Sequence, residues 1–338
     1  MKKAVVLFNL GGPDKLESVE PFLFNLFNDP EILSIPSIFR YPLAKFISKR
    51  RSPIAKNIYK EIGNKSPILE LTLQQATSLE NSLLAKGDYK CFVVMRCWHP
   101  RAVDVIKKVK EFNPEEIILL PLYPQFSAAT SGSSINEWND LCKKENFNVK
   151  TKTICCYPTE SNFIKSHANL IKKITQNTEN KNFKLLFSAH GLPEIKIRKG
   201  DPYQWQVEET VKRIMMELKD ENLDYTISYQ SRVGPLKWIG PSTDDEITKY
   251  SKEKKGIVIV PVAFVSEHSE TLVELDIEYK KLAEKNGCSF YKRVPALGIE
   301  ENFIKGLTEL VVQQETRGNF VSSVTCPNKY AKCPCLGL

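Results

Sequence analysis

Leu185-Leu186-Phe187-Ser188-Ala189-His190-Gly191-Leu192-Pro193 is the stretch on which the fold turns. An apolar run leads into small polar residues, a histidine, then a glycine and a proline. It reads as a buried strand with an imidazole at its carboxyl end, beside a residue that admits close approach. Five other segments share the design. In the first half they are Phe8-Asn9-Leu10-Gly11-Gly12-Pro13, Met95-Arg96-Cys97-Trp98-His99-Pro100 and Leu120-Pro121-Leu122-Tyr123-Pro124-Gln125-Phe126-Ser127. In the second half they are Tyr229-Gln230-Ser231-Arg232-Val233-Gly234-Pro235 and Val260-Pro261-Val262-Ala263-Phe264-Val265-Ser266.

Working outward, strands are expected over residues 4–10, 91–96, 116–122, 150–155, 184–188, 224–229, 256–265 and 289–293. Amphipathic helical stretches over 67–84, 102–112, 162–174, 204–218 and 270–285 lie between them. Near-continuous apolar strands alternating with helices predict parallel sheets flanked by helices on both faces. The loose repeat predicts two similar doubly wound α/β domains, with a boundary near 157–162 and a cleft between them. Residues 1–157 form the first domain, 158–300 the second, and 301–338 a helix packing back plus a cysteine-containing tail. Ligands of such sheets bind beyond the carboxyl ends of the strands, where all six polar turns point.

The 338 residues are 42% hydrophobic and 26% charged, ordinary for a globular protein with a substantial core. The longest apolar runs, Ile117–Leu122 and Ile257–Val265, are too short for transmembrane helices. Met1-Lys2-Lys3 passes straight into strand-like sequence rather than a secretory leader, so a cytoplasmic protein is expected. The net charge of +8 suits an anionic surface or small molecule. The densest basic stretch, Lys45–Lys60, follows the apolar Pro21–Tyr41, a pairing that fits a membrane surface better than a DNA groove. No nucleic-acid partner is expected. Nine cysteines in such a chain predict buried thiols rather than a disulfide framework. No G-x-G-x-x-G, P-loop or G-x-S-x-G pattern occurs, which excludes the commonest dinucleotide, NTP and serine-hydrolase designs. The hydroxyl-rich run Ser127–Ser134 opens a helix and offers N–H groups to an anion.

There are four histidines. His167 falls in a charged helical stretch and reads as a surface residue; His99, between Trp98 and Pro100, reads as a turn residue. His190 ends a central strand. His268 lies in Ser266-Glu267-His268-Ser269-Glu270, with Glu274 and Glu278 beyond. Glu267, Glu270, Glu274 and Glu278 recur at steps of three, four and four, which on an α-helix share one face. Four acids can simply face water, but this row starts directly after an apolar strand, at the mouth of the expected cleft. Carboxylates crowded there are expected to have raised pKa values and to pass protons or a divalent cation.

Taken together and in order, these segments resemble the ferrochelatase family. Ser66-Pro67-Ile68, Gly200-Asp201-Pro202-Tyr203, Trp238 and the run to Glu278-Tyr279 add to the likeness, which spans Leu7 to about Glu315. The resemblance implies insertion of Fe2+, as substrate, into protoporphyrin IX, with loss of two pyrrole protons. It implies that His190 and Glu270 face each other across the macrocycle and are the candidate metal ligands; His190 binds the metal or abstracts the first proton, and Glu270 is the opposite acid/base partner. Glu267, His268, Glu274 and Glu278 would form a proton or metal path. Tyr59, Tyr203 and Trp238 would wall the ring, and Arg51, Ser66 and Arg96 would meet propionates or polar rims. The apolar stretch 21–47 matches the family's lip and implies peripheral association with an anionic membrane surface. Cys97 and Leu10 depart from the aromatic residue and the Met or Tyr found in relatives.

Cys326, Cys333 and Cys335 form a C-x6-C-x-C tail. Some family members hold a 2Fe–2S cluster with three C-terminal cysteines and one elsewhere, so these three are candidate ligands. The fourth position of animal relatives is Ala128 here, which leaves Cys142, Cys155 or Cys156 as substitutes; zinc is the other metal such a set would suit. The rival functions are a coproporphyrin chelatase, a cobalt or nickel chelatase, and a non-catalytic porphyrin carrier. Monomer and homodimer both remain open.

Overall fold

The computed structural model describes residues 1–178, 182–220, 223–232, 234–313 and 319–336. Val233 of the 230–235 motif, Glu315 at the limit of the family likeness and Arg317 at the head of the tail lie outside the described residues. The chain divides into two compact units, Met1–Cys156 with Leu307–Ser322, and Tyr157–Gly306 with the cysteine tail from Ser323.

The first unit contains β1 (Lys2–Asn9), α1 (Val19–Phe27), α2 (Ser37–Lys60), α3 (Ile68–Leu83), β2 (Asp88–Met95), α4 (Ala102–Phe112), β3 (Glu116–Pro121), α5 (Ser133–Lys144) and β4 (Lys150–Cys156). The second contains α6 (Ser161–Gln176), β5 (Phe183–His190), α7 (Glu194–Arg198), α8 (Tyr203–Leu218), β6 (Tyr225–Gln230), α9 (Thr243–Lys252), β7 (Gly256–Pro261), α10 (Tyr279–Lys285) and β8 (Tyr291–Arg293). The helix α11 (Glu301–Val312) then leads back to β9 (Phe320–Ser322).

Both sheets are wholly parallel, ordered β2-β1-β3-β4-β9 and β6-β5-β7-β8. In each unit the first strand sits between the second and the third, so the loose sequence repeat is a true topological repeat. The strand order reverses beside β1 in one unit and beside β5 in the other. This is the place where an open parallel sheet leaves room for a ligand. β3 and β7 are buried along their whole length, as their unbroken Ile/Leu/Val runs require. Ala4, Val6, Phe8, Val94, Ile106 and Trp138 pack one face of the first sheet. Leu186, Ile257, Ile259, Leu275, Tyr279 and Ala283 pack one face of the second.

Three expectations need correction. The strand expected over 256–265 stops at Pro261, and Val262–Val265 continue as loop, with the Val262 N–H returning to the Ser188 carbonyl at 3.0 Å. A strand outside the expected set, β9, follows α11 and pairs with β4. His167 is buried, not on the surface. Phe163, His167 and Ile171 lie four residues apart on the inner face of α6, and the imidazole meets the Phe163 ring edge-on at 4.8 Å. Burial with no hydrogen-bond partner on either ring nitrogen pushes its pKa down to about 3.

Candidate active site

His190 is the last residue of β5, and Gln230, the last of β6, is its register partner. Gly191 follows because nothing larger fits. A Cβ there would lie 2.9 Å from the Gln230 carbonyl oxygen and 3.1 Å from the Trp238 ring. The sheet ends thus bring an imidazole, a carboxamide and an indole together.

The loop after β7 supplies the acids. Residues Glu270–Glu278 form a π-helix that continues into α10. Glu270 and Glu274 stay close neighbours along it, but the expected row of carboxylates is divided among different partners. Each acid has its own partner instead. Glu267 accepts from Arg293 Nη1 at 2.8 Å and from the Ala296 N–H at 2.9 Å. Glu270 Oε2 lies 2.9 Å from His190 Nδ1 and 3.9 Å from His268 Nε2, so His190 and Glu270 are bonded to each other on one side of the site and do not face each other across a macrocycle as expected. Glu274 accepts from the Ser231 N–H (3.0 Å), Ser231 Oγ (2.6 Å), Gln230 Nε2 (3.0 Å) and Tyr279 Oη (2.9 Å). Glu278 is exposed.

The electrostatics follow from this pairing, and the expected uniform rise in pKa is corrected. Burial works against ionising Glu270, but the charge and hydrogen bond of His190, with His268 behind, hold its carboxyl far below the usual range. Glu267 is likewise lowered, because Arg293 outweighs burial. Glu274 rises, through burial and the nearby Glu270 charge. Burial would lower the pKa of His190, yet Glu270 and Glu274 reverse this and raise it. An ionised Glu270 accepts a hydrogen bond from the Nδ1–H. That fixes the neutral tautomer with its lone pair on Nε2, which has no partner among the described residues. His190 keeps 39% of its side chain exposed, so Nε2 can meet a ligand.

Tyr203 opens α8 and is buried, its hydroxyl unbonded; burial, the Tyr229 hydroxyl and Glu270 together push its pKa well up. Trp238 lines the same turn as Gly191. His268 is held by the Ser266 carbonyl at 3.1 Å and packs against Phe264.

The remaining candidates belong to the first unit. Arg51 is exposed on α2, its guanidinium 5.8 Å from the Phe27 ring. Tyr59 is buried with Val19, Phe22, Leu23 and Cys97, with Leu10 packed alongside, so it supports the lip from inside. Ser66 is buried and donates its N–H to the Pro13 carbonyl at 2.8 Å. Arg96 bonds Ser133, Glu137 and Asp29. The Cys97 thiol is pushed up to about 12, chiefly by burial. His99 is exposed against Trp98.

Sequence reading passed over Gln230, Ser231, Tyr279 and Arg293. Arg293 carried a usable signal, a cation at the carboxyl end of a strand. Ser231 did not, since its role rests on a left-handed backbone, φ 62°. In the tail, Cys326, Cys333 and Cys335 are all buried, the last two with sulfurs within 4.8 Å of each other, and Gln206 Nε2 lies 3.2 Å from Cys326 Sγ. Among the described residues no helix is long and apolar enough to cross a membrane.

Known proteins share this architecture. The chain superposes on SirB from Bacillus subtilis with Fe3+ at a TM-score of 0.56, with 12% identity over 92% of this chain and 94% of that one. It superposes on the sirohydrochlorin chelatase SirB from Bacillus subtilis subspecies spizizenii in complex with cobalt at 0.51, with 10% identity over 90% and 92%. The fold is therefore of the chelatase class. A family model, Ferrochelatase, matches residues 2–315. The chain is 64% identical to the ferrochelatase of Pelagibacter ubique and 51% identical to that of Rickettsia felis, each alignment covering 99% of both chains. The chain belongs to the ferrochelatase family.

Proposed function

We propose that this chain inserts Fe2+ into protoporphyrin IX, releasing two protons and forming protohaem, the last step of haem biosynthesis. The observation that carries this reading is the His190–Glu270 pair at the strand-order reversal of the second sheet, with Nε2 of His190 left open. Metallation removes two pyrrole protons, so it needs a base whose conjugate acid is stabilised where it forms. Nε2 of His190 takes the first proton, and Glu270 steadies the imidazolium. Glu274, its pKa raised, is suited to take a proton onward, and Glu278 delivers it to solvent. Glu267, locked by Arg293, and His268 fix the head of the π-helix. Tyr203 and Trp238 wall the ring, and the exposed Arg51 meets a propionate.

A carrier would need a pocket and an axial ligand, but no paired acid. Glu270→Gln separates the two readings: porphyrin binding with turnover reduced by about 10²–10⁴ supports the enzyme, whereas unchanged turnover refutes the role of Glu270.

The substrate arrives from a membrane surface. On α2, Ile38, Phe39 and Phe46 are 75%, 64% and 61% exposed, interleaved with Arg40, Lys45, Lys49 and Arg50. Apolar groups exposed to this extent beside cations suit an anionic lipid interface.

The tail is suited to a 2Fe–2S cluster, which would act as a redox-sensitive group held by four thiolates. Cys326, Cys333 and Cys335 supply three. Cys155 is the proposed fourth. Cys156 already contacts Ser322 Oγ at 3.1 Å, and Cys142 packs with the core under α4 and α5. The chain just after Cys155 is bonded to the tail and to α8, through Thr159 to Ser323 and Thr210 to the Pro158 carbonyl.

A further inference from the structure

Asp29 lies just beyond α1 and is 3% exposed, although its carboxylate touches no catalytic group. Its two oxygens face different tasks. Oδ1 accepts the Glu31 N–H at 2.8 Å, closing a local turn, while the Asp29 carbonyl accepts the N–H groups of Ile32 (3.1 Å) and Leu33 (2.9 Å). Oδ2 reaches far along the chain, to Ser133 Oγ at 2.5 Å and to Arg96 Nη2 at 2.9 Å. Arg96 Nε in turn donates to Ser133 Oγ at 2.7 Å, which closes a three-membered ring of contacts. Arg96 comes directly after β2, and its own N–H is tied to the Asn9 carbonyl at 2.8 Å; Ser133 begins α5. The ring therefore fastens the segment between α1 and α2 to the carboxyl end of the five-stranded sheet.

The exposed apolar side of α2 begins just beyond that segment. Phe24 of α1 stacks edge-on with Tyr41 at 5.2 Å, and Phe27 lies under Arg51. The far end of α2 is fixed separately, by the buried cluster of Tyr59 with Val19, Phe22 and Leu23. At the near end the buried ion pair ties down residues 30–36, because a carboxylate removed from water cannot let its guanidinium partner go cheaply.

We infer that Asp29 is a positioning residue, which through Arg96 and Ser133 holds residues 30–36 and the start of α2 in the orientation that takes porphyrin from an interface. This rests on the reading of the chain as a porphyrin-metallating enzyme. It predicts that Asp29 governs substrate capture and not the chemical step.

The test uses the full-length protein and compares Asp29→Asn, Asp29→Ala and Glu137→Gln. Asparagine keeps the acceptor for the Glu31 turn but loses the charge that holds Arg96. Glu137 pairs with Arg96 and Arg101 but not with Asp29. Amide hydrogen exchange over residues 30–36 is expected to accelerate by roughly ten- to a hundredfold in both Asp29 variants, and to stay as in wild type in Glu137→Gln. With porphyrin presented in anionic vesicles, Asp29→Asn is expected to raise KM by about tenfold with kcat within about twofold. Asp29→Asn exchanging like wild type while Asp29→Ala does not would reduce Asp29 to a local turn former and overturn the inference. So would a fall in kcat at unchanged KM. Ser133→Ala, which removes one donor and strands no charge, covers the case in which Asp29→Asn does not fold, and predicts a smaller acceleration in the same residues. If the wild-type protein metallates no porphyrin, the functional reading fails, and the exchange measurement still decides the role of Asp29.

Discussion

Ser231 offers a test in which removing more atoms should do less harm. Its backbone is left-handed, φ 62°, a conformation costing roughly 1–2 kcal/mol for a residue with a Cβ. In return its N–H and hydroxyl both reach Glu274, at 3.0 and 2.6 Å. A hydrogen bond to a charged group contributes about 1.5–3 kcal/mol, so Ser231→Ala should lose about that much and keep the backbone strain. Ser231→Gly loses the same hydroxyl but relieves the strain, less roughly 0.5–1 kcal/mol for the looser unfolded chain. Its net cost is about 1.5 kcal/mol. At about 2–4 °C per kcal/mol for a unit of this size, the midpoint should fall about 3–12 °C for alanine and about two-thirds of that for glycine. Thermal and urea unfolding followed by tryptophan fluorescence would measure both. The pH dependence supplies a second check. The lost bond is to the ionised form of Glu274, whose pKa is raised by burial and by Glu270. The gap between wild type and alanine should therefore be full at high pH and narrow as pH falls through that raised value. Glycine as destabilising as alanine, or a gap independent of pH, would refute the assignment.

The same geometry sets further outcomes. Glu270→Gln removes the charge that raises the pKa of His190, so the acidic limb of kcat/KM should move to lower pH while the plateau falls; a limb moved upward would contradict the pairing. Gly191→Ala should destabilise by about 1–3 kcal/mol and weaken porphyrin binding, seen as a loss of fluorescence quenching, since its Cβ meets the Gln230 carbonyl and the Trp238 ring. Sedimentation with anionic vesicles at low salt should recover wild-type protein but not Phe39→Asp or Phe46→Asp; equal recovery would count against the α2 surface. Anaerobically purified protein should be coloured and contain iron, and Cys326→Ser or Cys155→Ser should lose both; a colourless wild-type protein would defeat the cluster.

Much of the fold was legible because buried parallel strands must be continuously apolar. Leu185–Phe187 and Ile257–Val260 declare themselves without any partner in view. β9 did not, since Phe320-Val321-Ser322 is too short to show a pattern and is ordered by pairing with β4. The end of β7 was hidden because Val262–Val265 stay apolar after Pro261 withdraws its N–H. His167 was misread from its lysine neighbours, although its four-residue spacing from Phe163 and Ile171 was visible. At the site, His190 and Glu270 were found by position. Gln230, Ser231 and Arg293 were not, because a π-helix leaves no distinct spacing, and the partners that divide Glu267, Glu270 and Glu274 come from β5, β6 and β8.

The most direct test of the account is anaerobic incubation of the purified protein with Fe2+ and protoporphyrin IX, monitored by loss of porphyrin fluorescence, beside His190→Ala. Rapid loss in the wild type that is absent in the variant is the predicted result. Tight porphyrin binding without metallation, or equal rates in the two proteins, would contradict it.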